Sequence, residues 1–335
     1  MQNIPEKFRA FQARQSAQGK GIEAGLVDLN ADQLDAGDVL IQAKYSSVNY
    51  KDALGATGKG RIYKKLPIVG GIDVSGTVVA SNDPSLAVGS EVLVTGCGLG
   101  ESHDGGYSEY VRVPASWVIP LPEGLSLREA MIYGTAGFTA GLCVHRLQVN
   151  DQTPDKGPIV VTGASGGVGS FAIQMLAKQG FDVIAVSGKA DAVTYLKDLG
   201  AKEVVRPEDL ELGERPLESV RFGGAIDNVG GSLLEGLLRH TNLWGNIASV
   251  GLAADFRFQN TVMPFILRGV SLLGISSANC PRSLRLQIWK NLAGPLKPDQ
   301  LEAIQQETVR LEDLATVFQR MIDRQIRGRV LVEIG

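Results

Sequence analysis

Ile159-Val160-Val161-Thr162-Gly163-Ala164-Ser165-Gly166-Gly167-Val168-Gly169-Ser170 runs from an apolar, β-branched stretch into four glycines, and then into a segment carrying Phe171, Ile173, Met175 and Leu176. Strand, glycine turn and helix in that order suit a pyrophosphate. Glycine closes the turn and lets the backbone approach, and the helix start offers unpaired N–H groups and a favourable dipole. No Gly-Lys-Ser/Thr follows at P-loop spacing, so a dinucleotide is expected rather than a nucleoside triphosphate.

Outward from this turn the chain alternates strand and helix. Strands are expected at Ile159–Thr162, Val183–Val186, Glu203–Val205, Ala225–Ile226, Ile247–Val250 and Ser271–Leu273. Amphipathic helices are expected at Ser170–Lys178, Ala190–Leu199 and Ser232–His240. That alternation implies an α/β fold with a parallel, doubly wound sheet.

The end of the second strand chooses the dinucleotide. NAD-binding sites place an Asp or Glu there for the ribose 2′-hydroxyl. Here Ser187-Gly188-Lys189 follows Val186, while Asp182 starts the strand and Asp191 lies in the next helix. A serine and a lysine bind a 2′-phosphate that a carboxylate would repel, and Arg206 past the third strand supplies a second cation. NADPH is the expected cofactor.

Before residue 126 the texture differs. Val39–Ala43 alternates, Gly70–Ala80 is rich in valine and glycine, and Glu91–Thr95 is again β-branched, as in a compact all-β unit. Ser126-Leu127-Arg128-Glu129 has the form of a capping box. The tail offers a helix over Leu311–Asp323 and a strand over Arg329–Ile334, which fits a return to the first unit. The expected domains are thus 1–125 with 299–335, discontinuous, and 126–298.

Composition narrows the function classes. A formal charge of −3 gives no basic surface for nucleic acid. No apolar run is long enough to cross a bilayer, and Met1–Lys7 lacks the form of a signal peptide. Cys97, Cys143 and Cys280 lie far apart, without metal-ligand spacing. A cytoplasmic enzyme with reduced thiols is expected.

Long stretches of the chain resemble the medium-chain dehydrogenase/reductase superfamily, and within it the acrylyl-CoA reductase (AcuI/YhdH-type) quinone oxidoreductase family. They are Ser46–Leu54, Thr57–Gly60, Pro67–Gly76, Gly134–Ala140, the glycine turn with Ser187-Gly188, and Val262–Arg268. The resemblance implies a GroES-like catalytic domain beside a Rossmann domain, with substrate in the cleft between them. Zinc-dependent relatives carry Gly-His-Glu where this chain has Gly71-Ile72-Asp73, and a ligand cysteine near the position of Asn49. His103, His145 and His240 are unrelated in spacing, so no metal is expected.

Without zinc, an activated C=C bond is a more accessible substrate than a plain carbonyl, because hydride addition at the β-carbon leaves a delocalised enolate. The resemblance implies cofactor contacts at Tyr50, Ser165, Gly166, Gly167, Val168, Ser187, Gly188, Lys189 and Arg206, with Leu252, Ile266, Ser277 and Arg324 on the nicotinamide side. The order Arg206-Pro207 departs from relatives in which proline precedes the arginine. Tyr50 is the leading candidate for orienting the cofactor or delivering a proton. Asn49 and Asp52 would hold the ribose and the loop. The basic loop Lys59, Arg61, Lys64 and Lys65 suits the phosphates of coenzyme A.

The expected reaction is NADPH-dependent reduction of a short enoyl-CoA, acrylyl-CoA first. The alternatives are reduction of a quinone or other activated alkene, and a non-catalytic NADPH-binding protein. Strand Ser271–Leu273 at the sheet edge suggests a homodimer.

Overall fold

Isoleucine and valine runs at Ile159–Val161 and Val183–Val186 form interior strands of a six-stranded sheet in the computed structural model, which describes residues 4–335. Of the N-terminal signal reading, Met1–Asn3 lie outside the described residues. No helix among the described residues is long and apolar enough to cross a membrane.

The sheet runs in the order Glu203–Val205, Val183–Val186, Ile159–Val161, Phe222–Asp227, Thr241–Ser249, Ser271–Gly274, all parallel. Chain order therefore reverses direction at Ile159–Val161, which creates a crevice at the carboxyl ends of the strands. Val160, Ala225 and Ile247 are fully buried, as expected of strands covered on both faces. Two strands run longer than their apolar cores suggest, Phe222–Asp227 and Thr241–Ser249, because Phe222 and Gly224 of one still pair with Thr241 and Asn246 of the other. Helix Gly167–Lys178 follows the glycine turn and Gly231–His240 follows the fourth strand. The expected helix at Ala190–Leu199 divides into a 3-10 turn, Ala190–Ala192, and a helix, Val193–Asp198.

The other unit is β-rich. A seven-stranded sheet is ordered Gln305–Val309, Arg329–Glu333, Val39–Ser47, Asp73–Ser81, Glu91–Thr95, Ile119–Pro120, with Tyr110–Val113 paired to Val39–Ser47 beside that path. The late strand Arg329–Glu333 returns here, antiparallel to Val39–Ser47 with Leu331 opposite Ser47. Gln305–Val309 pairs with it in parallel; its sequence Gln-Gln-Glu-Thr-Val is too polar to announce a strand. Phe8, Phe11, Tyr107, Phe318 and Val332 belong to the core of this unit.

The capping box forms: Glu129 N donates to Ser126 Oγ at 3.1 Å, and Ser126 N to Glu129 Oε2 at 2.8 Å. It opens Leu127–Val149, which breaks at Gly134 (φ 47°, ψ −153°). Contacts assign the chain up to Thr135, Ala278–Ala293 and Gln305–Gly335 to the first unit, and Ala136–Ser277 with Gly294–Ile304 to the second. This division differs from the expected 126–298 segment: residues 126–135, with the first turns of Leu127–Val149, and 278–293, with helix Arg282–Ala293, group with the first unit, and 299–304 with the second. Those helices bond within the β-rich unit: Arg285 Nη1 donates to Thr95 O at 2.7 Å, and Tyr133 Oη to Leu292 O at 2.9 Å.

Candidate active site

The glycine turn of the second unit is built for close approach. A Cβ at Gly169 would lie 2.6 Å from Ala164 O and 2.7 Å from Ala164 Cα, so only glycine lets the helix seat against the turn. Gly166 is the N-cap and has no side chain to occupy the first-turn N–H groups of Gly167–Lys178. Gly166, Gly167 and Val168 are half-exposed, and the Gly166 N–H closes the turn on Gly163 O at 3.0 Å. The turn fits a pyrophosphate.

A polar lock holds that turn. Asp227 Oδ1 accepts from Thr162 Oγ1 at 2.7 Å, while Asn228 donates to Thr162 O at 2.7 Å and to Thr162 Oγ1 at 2.9 Å. Asp227 also accepts from Gly230 N at 2.9 Å. Burial pushes the Asp227 carboxyl above its ordinary range, and these donors oppose the rise. Sequence reasoning missed the pair; its signal was a polar Asp-Asn closing an apolar strand.

Ser165 and Ser187 meet across the ends of the first two strands, Ser187 Oγ donating to Ser165 Oγ at 3.3 Å, both nearly buried. Lys189 follows, its N–H on Ser187 Oγ at 3.2 Å and its side chain half-exposed. Gly188 is open to solvent on its Cβ side. Arg206 sits past the third strand, with its guanidinium in a bidentate pair with Asp209 (2.8 and 2.9 Å). Asp182 is tied to Lys202 at 2.5 Å at the opposite, N-terminal end of its strand.

Leu252 follows Gly251, whose N–H reaches Asp227 O at 3.3 Å, which places Leu252 past the carboxyl end of the fifth strand. Ser277 follows Ile275, bonded to Ser249 O, at the end of the sixth. Ile266 lies on helix Met263–Arg268 and is 71% exposed. Ser165–Val168, Ser187–Lys189, Arg206, Leu252 and Ser277 therefore share the carboxyl-end rim of one sheet. Arg324 belongs to the first unit, exposed, with φ 59°.

In the first unit Tyr50 opens helix Tyr50–Ala56 and is 47% exposed. Its neighbours are not. Asn49 donates through Nδ2 to Asp73 Oδ2 at 2.7 Å and accepts at Oδ1 from Arg329 at 3.1 Å. Asp52 accepts from Asn49 N at 2.9 Å and from Ile72 N at 3.0 Å. Burial first, and the charge of Asp73 second, push the Asp52 carboxyl up to about 7. Of the three candidates, Tyr50 alone is exposed, and the other two hold its segment through buried hydrogen bonds.

The positions of the zinc ligands are occupied by other chemistry. Asn49 and Asp73 bracket a buried guanidinium, which a divalent cation would not share. Among the described residues no group of three His, Cys, Asp or Glu side chains is placed to hold a metal. His103 and His240 are engaged with backbone carbonyls, of Asp104 and Ala36 and of Ser219. In the basic loop Lys65 pairs with Asp35, whereas Lys59, Arg61 and Lys64 have no ion-pair partner among the described residues.

Two family models match, an alcohol dehydrogenase GroES-like domain over residues 35–123 and a zinc-binding dehydrogenase domain over 167–293. Together they define a medium-chain dehydrogenase/reductase. The putative quinone oxidoreductase YhfP of Bacillus subtilis is 46% identical over 98% of this chain and 99% of its own. The probable acrylyl-CoA reductase AcuI of Escherichia coli is 45% identical over 93% of this chain and 96% of its own. The crystal structure of the yhdH oxidoreductase from Salmonella enterica in complex with NADP superposes with a TM-score of 0.94 at 44% identity, covering 98% of this chain and all of that one. The B. subtilis yhfP structure, which holds NAD, reaches the same TM-score. The chain belongs to the acrylyl-CoA reductase (AcuI/YhdH-type) quinone oxidoreductase family.

Proposed function

We propose that this protein reduces the 2,3-double bond of a short enoyl-CoA, acrylyl-CoA to propionyl-CoA, with NADPH. The likeness to the acrylyl-CoA reductase of E. coli across nearly the whole of both chains carries the reading. The strand end Ser187-Gly188-Lys189, which lacks the acidic residue that a ribose 2′-hydroxyl requires, supports NADPH over NADH.

When bound, the nicotinamide supplies a hydride. The backbone donors of Gly167 and Val168 hold the pyrophosphate beside Gly166, whose own N–H closes the turn on Gly163 O, and Ser187 and Lys189 the 2′-phosphate, while Arg206 must exchange Asp209 for a phosphate before it can join them. Tyr50 meets the reactants and orients them or passes a proton toward the α-carbon. Asn49 and Asp52 keep its helix start in place. Lys59, Arg61 and Lys64, without acidic partners of their own, draw the phosphates of coenzyme A.

The second reading is reduction of a quinone, favoured by the name of the B. subtilis relative. Initial rates of NADPH oxidation with acrylyl-CoA, crotonyl-CoA and a quinone separate the two. Turnover confined to the quinone would sink the enoyl-CoA reading, and binding without turnover on any of the three would point to a non-catalytic NADPH-binding protein. We place the protein in the cytoplasm as a homodimer joined at the edge strand Ser271–Gly274.

A further inference from the structure

Arg329 is 4% exposed, and its charge is spent on no surface contact. Nε donates to Ile132 O at 3.1 Å, Nη1 to Val48 O at 2.9 Å and to Asn49 Oδ1 at 3.1 Å, and Nη2 to Ser47 Oγ at 2.6 Å. Its counter-charge, Asp73, is 3.8 Å away and is not bonded directly. Two side chains bridge the gap. Ser47 accepts from the guanidinium and donates to Asp73 Oδ2 at 2.7 Å. Asn49 accepts from the guanidinium and donates to the same oxygen at 2.7 Å. The remaining lone pairs of Asp73 take Thr135 N at 2.9 Å and Thr135 Oγ1 at 2.6 Å. All of these groups are in one unit.

The cluster leaves no room beside it. At Gly134, where the helix breaks, a Cβ would fall 2.5 Å from Asp73 Oδ2, 2.5 Å from Ser47 Oγ and 2.7 Å from Arg329 Nη2. A buried ion pair of this kind is poor evidence of stability by itself, because desolvation offsets the attraction. Its geometry, however, specifies one arrangement of the Asn49–Tyr50 turn. Both ends of the Asn49 amide are satisfied only when the turn stands where it does.

We propose that Arg329 is a positioning residue, and that with Asp73 it clamps Ser47 and Asn49 so that Tyr50 is presented at one fixed place. The catalytic part of this inference rests on Tyr50 serving the proposed reduction; the clamp itself does not.

The test uses the full chain and three variants, Arg329→Lys, Asn49→Ala and Ser47→Ala. Amide hydrogen exchange over residues 46–56 reads the clamp, and steady-state kinetics with NADPH and acrylyl-CoA reads its consequence. A lysine keeps the charge but offers a single ammonium in place of the planar fork, so it cannot hold both bridges. Exchange at residues 49–53 is expected to quicken at least tenfold in Arg329→Lys and Asn49→Ala, and by less in Ser47→Ala, which leaves the Asn49 bridge. The kcat is expected to fall at least tenfold in Arg329→Lys, with KM for NADPH within twofold of the parent. Unchanged exchange in the folded Arg329→Lys protein overturns the proposal whatever the kinetics show. Should Arg329→Lys not fold, Ser47→Ala decides: faster exchange at 49–53 supports the clamp, and parent-like exchange overturns it. If the parent turns over neither the enoyl-CoA nor a quinone, the function reading fails while the exchange result still stands for or against the clamp.

Discussion

Burial and the neighbouring charge of Asp73 carry the Asp52 carboxyl from its ordinary 3.8 up to about 7. Between those values the folded protein keeps a proton that the unfolded chain releases. Asp52 therefore contributes stability that is full below about pH 4 and lost as pH rises toward 7, with no further loss above it. Replacing Asp52 by Asn should remove that fall, read from urea unfolding at several pH values. It should also cost about 1–3 kcal/mol, because Asn49 N and Ile72 N reach different oxygens of Asp52 and an amide puts an NH2 group in place of one of them. A variant with the parent's slope across pH 4–7 would show that another group titrates. Lys189 tests the cofactor at the same scale. A charge-assisted contact is worth about 1.5–3 kcal/mol, so Lys189→Ala should raise KM for NADPH roughly tenfold or more and leave NADH within twofold. Equal effects on both would put the lysine in solvent.

Gly169 sets the spacing between the nucleotide-facing turn and helix Gly167–Lys178. Gly169→Ala pushes a methyl into the Ala164 backbone, which cannot swing aside as a side chain would. Overpacking of that kind costs about 1–3 kcal/mol, and cofactor affinity should fall further than stability. Titration of NADPH fluorescence against the thermal midpoint checks the order of the two losses; loss of stability alone would mean that the turn does not contact phosphate. Local signals at this scale were legible. Glu91–Thr95, Val183–Val186 and Glu203–Val205 have the expected bounds because β-branched runs end abruptly in polar or glycine residues. Gln305–Val309 was not legible, since it is half-buried and paired on one side only. The Arg329 cluster was beyond reach for a different reason: its bonds to Val48 and Asn49 join residues 281 and 280 positions apart, which no local pattern records.

At the scale of the whole molecule, alternation of strand and helix was enough to foretell the parallel sheet, and the late strand Arg329–Glu333 pairs antiparallel with Val39–Ser47. The division of helix Leu127–Val149 between units and the grouping of Arg282–Ala293 with the first depend on tertiary hydrogen bonds and had no sequence signal. Edge strand Ser271–Gly274 bonds on one side only, and Trp244, Ile266 and Leu267 are each more than half exposed. Pairing of two such edges buries backbone that water must otherwise satisfy. Light scattering should therefore give twice the 35.6 kDa chain mass; a monomer at micromolar concentration would contradict it. The reaction is most directly tested by following deuterium. With NADPH deuterated at the transferred position of nicotinamide C4 and acrylyl-CoA in ordinary water, hydride delivery to the β-carbon should yield propionyl-CoA with one deuterium at C3 and a solvent proton at C2. NADPH consumption with a quinone, and none with acrylyl-CoA, would contradict it.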